Sequence, residues 1–193
     1  MLAGGEAVLP LPADDARQSS LLTTSLRAGE AIDDDVAVVI STSGTTGLPK
    51  GAMLTASALI ASAEATHRRL GGPGRWLLAL PAYHVAGLQV LVRSVIADTT
   101  PVAVPAGFDG AELASAVASL GSGRRYASLV AAQLDKALQD PAAAAALASL
   151  NAVLIASSTR PSTRNTPESS TAPMSSVRNQ PGSANGSGST GLR

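Results

Sequence analysis

The chain contains no cysteine. Disulfides and thiolate metal sites are therefore excluded, and a cytoplasmic, reducing location is the expectation. Aromatic residues are only 2% of the composition while apolar residues reach 45%. Any core must be assembled from Ala, Val, Leu and Ile. Charge of neither sign is in excess: Lys plus Arg and Asp plus Glu both number 14. No basic face suited to nucleic acid is evident, and no long single-sign block suggests an interaction tail. No apolar run reaches the ~18 residues of a membrane helix, so no membrane insertion is expected. The opening stretch "MLAGGEAVLPLPADD" has no basic residue ahead of its apolar part and carries two early prolines. It does not read as a signal peptide. The 193 residues suffice for one domain or two small ones.

Residues 1–34 are mixed in character and end near the acidic run Asp33-Asp34-Asp35. "VAVVI" (36–40) is a short β-branched run and predicts a buried strand. A Ser/Thr/Gly loop follows. Thr55 is suited to cap a helix over about Ala56–Leu70, with Gly71 as its stop and Leu59, Ile60, Ala63, His67 and Leu70 on one face. Further strands are predicted at 75–81, 101–105, 125–130 and 151–155. Helices are predicted at 87–97, from an Asp109 cap through Leu120, from 131 to about 140, and at the alanine run 142–146. Strands alternating with helices predict an α/β fold with a mostly parallel sheet, which places ligands beyond the carboxyl ends of the strands. The loop 41–51 is expected at such an end. From 156 to 193 the chain turns to Ser, Thr, Pro, Gly and Asn, without aromatics or a periodic apolar face. That composition cannot bury enough surface to offset its ordering entropy, so a disordered tail is expected.

The loop "STSGTTGLPKG" (41–51) concentrates donors. Gly44, Gly47 and Gly51 let the backbone turn tightly and approach a ligand; Ser41, Thr42, Ser43, Thr45 and Thr46 add hydroxyls; Lys50 adds one ammonium. Clustered N–H and O–H donors beside a cation suit a polyphosphate. The loop does not follow the ATPase pattern G-x-x-x-x-G-K-[ST], because Pro49 precedes Lys50 and Gly51 follows it. The alternative is a plain surface loop between a strand and a helix.

The order of residues weighs against that alternative. "TSGTTGLPKG" (42–51) resembles, at every position, the phosphate-binding signature [ST]-S-G-[ST]-T-G-x-P-K-G of the adenylate-forming superfamily, which includes acyl-CoA synthetases. "LPAYHVAGL" (80–88) is similar to the superfamily motif whose histidine lies near the carboxylate substrate; His84 is the matching residue. His67, in mid-helix, reads as structural. Within the superfamily, "HVAGLQVLVRSVIA" (84–97) and "RYASLVAAQLDKAL" (125–138) are similar to o-succinylbenzoate–CoA ligases of menaquinone synthesis, and Arg93 and Ser94 belong to that narrower match.

The resemblance implies two steps, adenylation of a small-molecule carboxylate by ATP with Mg2+, then thioester formation with coenzyme A. Thr42, Ser43, Gly44, Thr45, Thr46, Gly47, Lys50 and Gly51 would hold the phosphates and His84 would orient the carboxylate. It implies three segments: 1–34, a partial AMP-binding domain at 35–155, and the tail at 156–193. The later motifs of the superfamily are not found. No Tyr is followed by Gly, and the one Glu after 155 is Glu168, so the Glu that binds magnesium in the superfamily has no counterpart. The expectation is a truncated ligase whose residues 156–193 are a frameshifted or foreign continuation. Its alternative is an inactive fragment that binds nucleotide phosphates.

Overall fold

The computed structural model describes residues 2, 5–42, 49–105 and 107–156. The first element, helix α1 (Ala16–Ser25), is opened by Asp15, whose side chain accepts from the Gln18 amide at 2.8 Å. It lies within the segment that sequence reading left as mixed, because only Leu22 on it is buried and its apolar stripe is correspondingly thin. Strand β1 (Val36–Thr42) follows and pairs antiparallel with β2 (Lys50–Thr55). On its other side, Val8 exchanges backbone hydrogen bonds of 2.9 Å with Ala37 and Val39. The apolar run of β1 is thus the buried middle of a small sheet.

This hairpin corrects two expectations. The strand at 36–40 is not part of the parallel sheet, and the loop after it does not connect a parallel strand to a helix. Lys50–Thr55 was not expected as a strand: "KGAMLT" has little intrinsic β preference, and pairing with β1 creates it. The seven residues separating the strands also exceed the short turns that make a hairpin legible.

Thr55 caps helix α2 (Ala56–Arg69) as expected, accepting from the Ala58 amide at 3.1 Å, and Gly71 ends it with φ +84°. The remaining elements are β3 (Arg75–Leu78), α3 (Val85–Ile96), β4 (Val102–Ala103), α4 (Gly110–Ser119), β5 (Arg125–Val130), α5 (Ala131–Leu138), α6 (Pro141–Ala148) and β6 (Ala152–Ala156). The strand expected to reach Pro81 stops at Leu78, and the alanine helix extends one residue before and two after its expected span. Asp109 and Glu112 form a reciprocal capping box at the start of α4. The expectation for 157–193 falls outside the described residues.

The parallel sheet has the order β4-β3-β5-β6. Alternation along β3 and β5 sorts two cores. Leu77, Ala79, Ala127 and Leu129 face α4, α5 and α6, burying Leu113, Val117, Ala137, Ala143 and Leu147. Trp76 and Tyr126 face the other way, against Val90 of α3. A third cluster joins Val38 and Ile40 of the hairpin to Leu59 and Ala63 of α2 and to Leu88 and Val92 of α3. Helices therefore cover both faces, as right-handed crossovers running outward in two directions require. Among the described residues no helix is long and apolar enough to cross a membrane.

His67 is buried, and its Nε2 has no hydrogen-bond partner among the described residues. Its pKa lies below the ordinary 6.5, first because burial penalises the cation and second because Arg93 is near; Glu64 opposes weakly.

Two outcomes follow from this packing. Leu77→Ala removes a fully buried side chain between β3 and the α4–α6 layer, and is expected to cost about 2–5 kcal/mol in urea unfolding, whereas Val95→Ala on an exposed position stays within about 0.5 kcal/mol. For His67, the unfolded chain binds the extra proton first, so stability is full above pH 6.5 and declines as pH falls below it. Urea midpoints taken at a series of pH values should show this decline, and His67→Gln should flatten it.

Candidate functional site

The donor-rich loop is the connection of the β1–β2 hairpin. Thr42 and Lys50 are the last register pair before it, and the Thr42 hydroxyl donates to the Lys50 carbonyl at 3.1 Å. The two ends of the loop are thereby held side by side. Ser43, Gly44, Thr45, Thr46 and Gly47 lie outside the described residues. Lys50 is exposed, and its Nζ makes no hydrogen bond or ion pair with a described residue. Its ammonium is available to an anion at the mouth of the loop. Gly51 has a packing reason to lack a side chain. A Cβ there would sit 2.7 Å from Cγ1 of Val39 and 3.3 Å from Cδ2 of Leu26.

The second motif occupies the carboxyl end of the parallel sheet. After β3 the chain turns through Ala79–Tyr83, and His84 is the N-cap residue of α3. The His84 amide donates to the Pro81 carbonyl at 3.1 Å, and the His84 carbonyl accepts from the Leu88 amide at 2.9 Å. The imidazole makes no capping bond, is exposed, and lies with its centroid 4.6 Å from the Tyr83 ring. The backbone is pinned and the ring is free to meet a ligand.

The topology supports that placement. From β3 the chain departs to β4 on one side, and from the adjacent β5 it departs to β6 on the other. Such a reversal opens a crevice beyond the strand ends. Its two walls begin at Ala79–His84 and at Val130–Gln133. Gln133 ties them: its Nε2 donates to the Ala79 carbonyl at 3.0 Å, and its Oε1 accepts from the Val130 amide at 3.1 Å. Sequence reading did not single out Gln133, since a glutamine on a helix gives no signal of burial.

Gly87 is a second omission. A Cβ on it would fall 2.2 Å from the Pro81 carbonyl oxygen and 2.5 Å from that of Leu80. Only glycine lets the first turn of α3 rest on the turn that presents His84. Its place two residues past "YHV" in the motif is the signal that could have found it.

Arg93 and Ser94, on the same helix, are buried. The Arg93 guanidinium lies 4.9 Å from the centroid of the Trp76 ring, and burial lowers its pKa. Arg93 Nε, Trp76 Nε1 and Ser94 Oγ have no hydrogen-bond partner among the described residues. The hairpin and the crevice are linked through α3, which carries His84 at its start and packs Leu88 and Val92 against Val38 and Ile40 of β1.

Known proteins share this arrangement. A 2-succinylbenzoate–CoA ligase of Mycobacterium tuberculosis, described as probable, is 70% identical over 140 residues, covering 72% of this chain and 37% of the relative. The 2-succinylbenzoate–CoA ligase of Bacillus licheniformis is 46% identical over 71 residues, covering 36% of this chain and 15% of the relative. The o-succinylbenzoate CoA synthetase of Bacillus subtilis, solved with the acyl-adenylate intermediate, superposes with a TM-score of 0.53 at 27% identity, over 67% of this chain and 36% of that one. The same enzyme solved with AMP gives a TM-score of 0.52 at 28% identity, over 67% and 35%. The chain spans about 37% of the length of the mycobacterial relative, and its α/β fold is the N-terminal part of the adenylate-forming enzyme fold. The model of the AMP-binding enzyme family matches residues 6–171, and the chain belongs to that family.

Proposed function

We propose that this chain carries the phosphate-cradling and carboxylate-orienting part of an ATP-dependent acid–CoA ligase whose acid is o-succinylbenzoate. The observation that carries the reading is the hairpin mouth. The signature Thr42–Gly51 is complete, its ends are clamped by the Thr42–Lys50 bond, and the Lys50 ammonium is uncommitted among the described residues.

In the first step a carboxylate oxygen attacks the α-phosphorus of ATP, the bond to the β-phosphate breaks, and pyrophosphate leaves. In the second the thiol sulfur of coenzyme A attacks the acyl carbon and AMP leaves. Both steps develop negative charge on oxygen, and preorganised donors lower its cost. Thr42, Ser43, Gly44, Thr45, Thr46, Gly47 and Lys50 are assigned to the β- and γ-phosphates. Gly51 serves the close packing behind them, and His84 orients the carboxylate. Magnesium enters with the nucleotide as substrate. Among the described residues no group of three or more His, Asp or Glu could hold the ion, so no step is assigned to a protein-held metal. The absence of cysteine supports a cytoplasmic setting. We assign residues 35–155 to a partial AMP-binding domain, preceded by 1–34 and followed by the tail at 156–193.

The second reading is a fragment that binds nucleotide phosphates without turnover.

Calorimetric titration with magnesium ATP separates these readings when run beside a pyrophosphate-release assay containing o-succinylbenzoate. Lys50→Ala is expected to weaken nucleotide binding by about 10- to 100-fold, the value of a charge-assisted hydrogen bond. Pyrophosphate release that disappears in Lys50→Ala supports the ligase. Binding without release supports the fragment, and no binding by folded protein removes both. Gly87→Ala should destabilise the fold by about 1–3 kcal/mol through the clash with Pro81. In a proton–carbon NMR correlation of the two histidines, it should move the His84 ring signals more than those of His67.

A further inference from the structure

The formal charge is zero, yet the charges are segregated. Seven of the fourteen acidic residues and only two cations lie in residues 1–35. Conversely, the amino end of the parallel sheet is rich in arginine. Arg68 and Arg69 close α2, Arg75 opens β3, and Arg124 and Arg125 enter β5, with Arg75 and Arg125 directly paired in register. Acidic groups at that end are Glu64, which pairs with Arg68 at 3.8 Å, and Asp98, next to Thr99 whose hydroxyl donates to the Gly74 carbonyl.

This arginine end is built, not trailing. The Tyr126 hydroxyl donates to the carbonyls of Leu70 and Gly72 at 3.2 and 3.0 Å, fixing the narrow loop Gly71–Gly74. The Arg124 guanidinium lies against Gly71 and Gly72, where a Cβ would come within 3.2 Å of it. Arg125 Nη2 donates to the Ser149 carbonyl at 2.7 Å. Arg68, Arg69, Arg75 and Arg124 are exposed.

A groove of about 920 Å3 opens between the N-terminal segment and the connection from α1 to β1. Apolar Val8, Leu26 and Ile32 line it together with Glu6, Asp33 and Asp34. Arg27 is also in its wall but is taken up by Glu30. Glu6, Asp33 and Asp34 form no ion pair with any described residue. An apolar trough with uncommitted carboxylates suits arginine, whose stem packs while its head pairs.

We propose that this chain self-associates head to tail, the arginine-bearing Gly71–Gly74 end of one copy docking in the acid-lined groove of the next. The contact joins two different patches, so it is heterologous and extends or closes into a ring. The arginine end lies at the opposite end of the sheet from His84. Single exposed ion pairs contribute little, and it is the convergence of several on an apolar-lined groove that makes the contact specific.

Sedimentation equilibrium of the whole chain tests this. Association is expected at about 20 mM salt and should weaken tenfold or more by about 200 mM, as screening requires. Arg69→Glu with Arg124→Glu, and separately Asp33→Lys with Asp34→Lys, should each yield monomers with wild-type circular dichroism. Mixing the two variants should restore association, because each supplies the partner charge the other lost. A wild-type monomer at low salt overturns the proposal, as does association that neither variant changes. A monomer that pellets with phosphatidylglycerol vesicles would assign the arginine end to a lipid surface and also overturn it.

Discussion

Helix α3 is the element on which the rest of the structure depends, because it is buried from two sides. Val90 packs on Trp76 and Tyr126 of the parallel sheet, while Leu88 and Val92 pack on the hairpin and α2. Each fully buried aliphatic side chain contributes about 1.5–3 kcal/mol relative to exposure. Among the described residues the hairpin and the sheet share no strand pairing, and this packing, with α2, joins them. It also explains why a helix of this length is apolar almost all round, with its exposed Val85 and Val95 on what remains of its surface.

The same double burial positions the candidate site. A helix clamped on both sides holds its N-cap residue in place, and His84 is that residue. The close approach allowed by Gly87 seats the helix on the Leu80–Pro81 turn. Gln133 then holds the end of β3 to the start of α5. None of these contacts touches a ligand, but together they determine where the crevice at the strand reversal lies. At the hairpin the division is similar: Thr42 and Lys50 face the loop, whereas Gly51 supports them from behind by admitting Val39 and Leu26.

Buried polarity is concentrated on one side of the sheet. Arg93 lies over Trp76, burial and then Arg93 lower the pKa of His67, and Ser94 is enclosed on the same helix as Arg93. A core with so few aromatic residues spends its only tryptophan, and one of its two tyrosines, on this face. Their rings pack tilted at 48°, 5.0 Å between centroids, and anchor both α3 and the arginine-bearing loop.

Much of this was legible in the chain of residues alone. The α/β class, the Thr55 and Asp109 caps, the glycine stops and the strand at 125–130 follow from local signals, because caps, glycines and β-branched runs act within a few residues of themselves. The donor loop and His84 stand out in the sequence for the same reason: the role expected of each is read from one short stretch. What only the tertiary structure decided is the pairing. Whether "VAVVI" joins the parallel sheet or a hairpin depends on Lys50–Thr55 folding back beside it, and that strand has no propensity of its own. Gln133 and Gly51 acquire their roles from atoms 54 and 12 residues away, and Gly87 from the turn its own helix packs on. Local sequence determines which elements form; burial against partners distant in the chain determines which faces meet.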